Sequence, residues 1–248
     1  MNYQETFKHY AKLIFAIGDS LTQGTGLPVD AAYPFQLDLL LNFDNKVYFP
    51  MYGVVNLGQD GIGTKQSIAI LDKYSDLLKP PDFILYLGAP NDYVDDLVWD
   101  IVSEKIPLQD NPNAFPILVW LLNHTKTVQT LYGIYFSRLR RQLLISKTKN
   151  YHCAALQEKV FDKLLEKASE SEAKLIVSWE DYSESYIWLQ EWARKNNVLF
   201  ADWYPGFFSV TKEIPNMPVR NSHSAGHYRA WVNHMIAKAF ACKIKEAE

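Results

Sequence analysis

Residues 13–26, LIFAIGDSLTQGTG, carry five apolar or small residues straight into Gly18, Asp19 and Ser20. A nearly continuous apolar run of this length suits a strand covered on both faces. A turn would account for the glycines that follow. It would not account for a serine at the carboxyl end of a central strand, which is where open α/β sheets place their chemistry.

The same pattern recurs along the chain. Apolar runs at 53–57 (GVVNL), 83–87 (FILYL), 174–179 (KLIVSW) and 197–201 (NVLFA) read as further strands. Between them lie amphipathic stretches at 33–43, 65–78, 155–171 and 182–196, with a last helix over residues 225–244. Strand–helix alternation of this kind predicts a parallel sheet with right-handed crossovers in three layers. One interval breaks the rhythm: about 85 residues separate the third strand from the fourth, where a single crossover needs far fewer. Residues 93–150 are rich in aromatic and aliphatic side chains and are interrupted by Pro107, Pro112 and Pro116. They read as a helical insertion within one domain spanning 1–248, placed where it could cover a pocket.

The 248 residues, 48% hydrophobic and 21% charged, suffice for a substantial core. A net charge of −3 gives no electrostatic footprint for nucleic acid or an anionic membrane. The basic run at 137–149 reads as the solvated face of a helix. Cys153 and Cys242 are too few for a disulfide framework or a zinc site. The amino terminus shows no signal pattern, and the longest apolar run, at 114–122, is half of a membrane span. A soluble, cytoplasmic chain without a transmembrane segment is expected.

Four blocks hold the residues that could carry chemistry. They are Gly18-Asp19-Ser20-Leu21; Gly61, five residues after Asn56 in VVNLGQDGIGT; Asn91-Asp92 in YLGAPNDY; and a histidine before the last helix in PVRNSHSAGHYRAWVNH (218–234). In order and spacing these blocks resemble the SGNH/GDSL hydrolase family. The resemblance implies a flavodoxin-like α/β/α sandwich of about five parallel strands. It also implies serine esterase activity on carboxylic esters, with an acyl-serine intermediate and neither metal nor organic cofactor.

Carried onto this chain, the resemblance makes Ser20 the nucleophile and His223 the general base, with His227 the second candidate and His234 structural. The N–H groups of Ser20 and Gly61 and the Asn91 side-chain amide would form the oxyanion hole, Gly58 competing with Gly61. Asp19 would brace the loop. Two departures stand out. Gly88 lies three residues before Asn91, where the family has two. The position three before His223, normally Asp, is Arg220, which cannot accept a hydrogen bond from the imidazole. The ring could be oriented by Asn221 or a backbone carbonyl, or by Asp202 ahead of an aromatic loop; otherwise the site is degenerate.

Other features read structurally. Asp95 and Asp96 are expected in a solvated helix start with no metal, His124 at a helix end, and Trp179, Trp188, Trp192 and Trp203 as core or rim aromatics. A small-molecule acyl, sugar or lipid ester is the expected substrate. The rivals are an O-acyltransferase acting on a glycan hydroxyl and a catalytically silent binding module.

Overall fold

The computed structural model describes residues 9–43, 51–75, 78–105, 157–222 and 227–248, with the isolated positions 126, 130 and 138. The run that opens at Leu13 is strand β1 (Lys12–Gly18), buried throughout from Leu13 onward. It pairs in parallel with β2 (Tyr52–Asn56) on one side and β3 (Phe83–Gly88) on the other. Strand β4 (Lys174–Trp179) continues the sheet beside β3, and β5 (Leu199–Phe200) closes it. The order β2-β1-β3-β4-β5, all parallel, is flavodoxin-like. Its switch point lies between β1 and β3, so the loops carrying Ser20 and Asn91 leave the sheet side by side. The fifth strand is shorter than its apolar run suggests. At the sheet edge the ladder takes in Leu199 and Phe200, opposite Ile176 and Val177.

Helices α1 (Ser20–Gln23) and α2 (Tyr33–Asn42) lie between β1 and β2. Helix α3 (Thr64–Ser75) leads to β3, and α4 (Asp92–Lys105) follows it. Helix α5 (Glu158–Glu170) precedes β4, and α6 (Glu184–Lys195) joins β4 to β5. After the sheet come α7 (Tyr204–Glu213) and α8 (Ala230–Glu246). Helices α2 and α8 pack against each other on one face of the sheet, where Tyr33 stacks on Phe240 at 5.4 Å between ring centroids. On the other face α3 packs against α5.

Phe161 of α5 is fully buried and ties three elements together. It meets Tyr86 of β3 edge-on at 5.6 Å and lies 5.7 Å and 5.4 Å from Trp188 and Trp192 of α6. No small side chain can fill that space. Phe161→Ala is therefore expected to lower stability by about 3–5 kcal/mol, read as a fall in the urea midpoint at unchanged slope.

Two expectations need correction. The aromatic stretch after Asp202 is helix α7 rather than a loop; Pro205 sits in its first turn, where the missing N–H has no intrahelical partner to lose. Asp95 and Asp96 do lie in a helix start, α4, but they are buried rather than solvated. Of the expected insertion, α4 and positions 126, 130 and 138 are among the described residues. The rest of 93–150 lies outside them, including His124 and all of the basic run except Arg138, as does Cys153. Among the described residues no helix is long and apolar enough to cross a membrane.

Candidate active site

The chain turns sharply as it leaves β1. Gly18 has φ +144, and a Cβ there would come within 2.5 Å of Thr22 Oγ1 and 2.9 Å of the Leu87 carbonyl, so only glycine fits. Asp19 then caps α1, its Oδ1 accepting the Leu21 N–H at 2.9 Å, and Gly24 ends the helix at φ +81. Ser20 is thereby held at the first position of a one-turn helix above the sheet. It is 8% exposed.

The histidine ring that meets it belongs to His227. Its Nε2 lies 2.8 Å from Ser20 Oγ, and both residues line a narrow cleft with Thr25, Leu27 and Tyr228. This was the second candidate in the sequence; His223 lies outside the described residues. His234 sits within α8, bonded through Nδ1 to Gln36 Oε1 at 3.0 Å.

His227 reaches the site from a two-stranded clasp. Arg220 and Tyr228 form an antiparallel bridge, the Asn221 N–H donates to the His227 carbonyl at 2.7 Å, and the Arg229 N–H donates to the Val219 carbonyl at 3.0 Å. Asn221 thus adjoins the histidine through the backbone. Asp202 is directed to α7, where its Oδ1 accepts the Tyr204 N–H at 3.0 Å. The Arg220 guanidinium turns onto Glu180 at the end of β4, 2.9 Å from Oε1, and covers the Tyr228 ring at 4.6 Å.

The two glycine candidates after β2 differ in what they leave available. Gly58 is packed against α1, where an added Cβ would lie 2.4 Å from Gln23 N, and its own N–H donates to Asn56 Oδ1 at 3.0 Å. Gly61 has φ +74 and open space where a Cβ would be. The loop between them is laced to α1 by the Asp60 N–H, which donates to Gln23 Oε1 at 2.6 Å. Beyond Leu27 and Gly24, which also line the serine cleft, a cavity of about 380 Å³ runs to Val29, Phe35 and Val54.

Asn91 sits just after β3, with its side-chain nitrogen donating to Asp95 Oδ2 at 2.9 Å and to Asp19 Oδ2 at 3.3 Å. Behind it lies a buried polar network absent from the sequence reading. Tyr86 donates its hydroxyl hydrogen to Asp92 Oδ2, which also accepts the Ala89 N–H at 3.0 Å. Asp96 accepts the Lys65 N–H and the Gln157 side-chain N–H, each at 2.8 Å. The acid-rich α4 start was visible in sequence; what it faces was not, because the facing groups come from positions 65, 86 and 157.

Burial raises the carboxyls of Asp19, Asp92 and Glu180 above the ordinary carboxylate range and pushes Asp96 up to about 7. A carboxyl whose folded pKa exceeds its unfolded value binds its proton more tightly in the native state. Asp96 therefore stabilises the fold at low pH, and that contribution is lost as pH rises from about 4 through about 7. Asp96→Asn is expected to flatten this part of the decline in Tm, measured by calorimetry across the interval. The asparagine amide can be accommodated, since Gln157 Oε1 is buried without a partner among the described residues and can accept from it once Gln157 flips.

Several solved structures share this architecture. A member of the lipolytic protein G-D-S-L family from Veillonella parvula is 14% identical, with 92% of this chain and 94% of that chain covered and a TM-score of 0.54. The structure of TesA is 12% identical over 96% of this chain and 100% of that one, at a TM-score of 0.57. A catalytic mutant of an acetylxylan esterase from Geobacillus stearothermophilus is 16% identical, over 95% and 94% respectively, at a TM-score of 0.53. No family model and no curated protein sequence matches the chain. The chain has the SGNH/GDSL hydrolase fold.

Proposed function

We propose that the protein is a serine esterase that hydrolyses small carboxylic esters, acetyl esters among them, through an acyl-serine intermediate. The observation that carries this reading is the 2.8 Å approach of His227 Nε2 to Ser20 Oγ at the carboxyl end of the sheet. A nucleophile within hydrogen-bond reach of a base is the minimal machinery for acyl transfer. The esterase names of structures with the same fold support the class.

In this mechanism Ser20 Oγ attacks the ester carbonyl carbon as its proton passes to His227 Nε2. The carbonyl oxygen becomes an oxyanion, stabilised by the N–H groups of Ser20 and Gly61 and by the Asn91 amide. Asn91 can contribute by giving up the longer of its two hydrogen bonds, the one to Asp19. The imidazolium then protonates the departing alcohol. Water, deprotonated by the same ring, cleaves the acyl-enzyme and restores the serine.

The test is direct. The purified chain is incubated with p-nitrophenyl acetate and butyrate, and separately with a fluorophosphonate whose adduct is mapped by mass spectrometry. Turnover with a single adduct on Ser20 is expected. No turnover together with no adduct would leave the protein a binding module on a hydrolase scaffold.

A further inference from the structure

We propose that the Arg220–Glu180 ion pair positions the His227 ring against Ser20. The proposal rests on the Ser20–His227 reading and adds two residues to it.

Glu180 is fixed independently of the histidine. Its N–H donates to the Gly88 carbonyl at 2.8 Å, and its own carbonyl accepts the Tyr204 hydroxyl at 2.7 Å. The segment bearing His227 is attached to that anchor at two points. Arg220, directly across the clasp from Tyr228, bonds the Glu180 carboxylate, and Tyr228, the next residue after His227, bonds the Glu180 carbonyl. The guanidinium lying over the Tyr228 ring locks the two attachments together. Tyr228, next to the histidine along the chain, and Arg220, across the clasp from Tyr228, are therefore both tied to the end of β4. Arg220 also counteracts the burial that raises the Glu180 carboxyl, which favours the charged form that the pair needs.

Arg220→Met keeps an aliphatic stem over Tyr228 but removes the charge; Glu180→Gln keeps the shape of the acid. Each, made in the full chain, is expected to lower kcat for p-nitrophenyl acetate by about 10²-fold with KM held within about twofold, because the ring loses orientation rather than the site losing substrate contacts. The double variant is expected to be no worse than either single one, since both break the same pair. Fluorophosphonate labelling of Ser20 should slow in parallel. Unchanged kcat in both variants, or losses that simply add, would overturn the proposal. Glu180→Gln alone decides the matter if Arg220→Met fails to fold.

A wild-type protein inert to both ester and fluorophosphonate would defeat the esterase reading but not this one. The ¹H–¹⁵N resonances of the His227 ring then decide. Positioning by the pair requires that they shift in both variants while backbone resonances of β1 and β3 stay in place; ring resonances that do not move would overturn it.

Discussion

Ser20→Ala is expected to abolish ester hydrolysis, with a loss on the order of 10⁶-fold in kcat, while leaving the melting temperature nearly unchanged. The asymmetry follows from what the hydroxyl touches. Ser20 Oγ meets His227 Nε2 at 2.8 Å and Asp19 Oδ2 at 3.4 Å, and neither contact holds an element in place. The turn is held instead by the Asp19 cap on Leu21 and by Gly24 N–H donating to the Ser20 carbonyl, and both survive in the alanine variant. Steady-state turnover and a thermal melt on the same preparation check both halves. Retained activity would remove Ser20 from the mechanism; a collapsed melt would mean that the serine is structural.

His227→Ala should fall to a similar floor, and the Ser20→Ala/His227→Ala double variant should be no slower than either, because nucleophile and base act as a unit. This is the sharper of the two experiments, since the sequence offers two histidines four residues apart. If activity is lost with His223→Ala and survives His227→Ala, the base is reassigned to His223. A second signature separates the base from a packing residue: variants lacking it should show KM little altered, with the whole deficit in kcat and in the rate of fluorophosphonate labelling.

The fold was legible because its signals are local. Each of the runs that became β1, β3 and β4 is apolar almost throughout, as strands covered by helices on both sides must be. Strand–helix alternation then left few topologies open. The serine corner was legible for a related reason: Gly18, Asp19 and Gly24 perform short-range backbone tasks that are written into neighbouring residues. The histidine was harder. His223 and His227 both precede the last helix, and what brings His227 to Ser20 is a clasp across 219–221 and 227–229 tied to Glu180, some 40 residues upstream. No periodicity announces such a contact. The same holds for Asp96: a pair of acids at a helix start reads as solvated until Lys65 and Gln157 arrive from distant segments to bury it.

His227 lies three residues before α8, whose Val232, Ile236, Phe240 and Ile244 are buried in the core, and the helix lies against α2. The ring therefore reaches the serine only in molecules whose final helix has docked. On the proposed mechanism, a chain still emerging from the ribosome, or one that ends before residue 227, would carry the Ser20 hydroxyl without its base and would turn over no ester. In refolding, recovered turnover should consequently report completion of the whole molecule, trailing any probe that follows formation of the sheet alone.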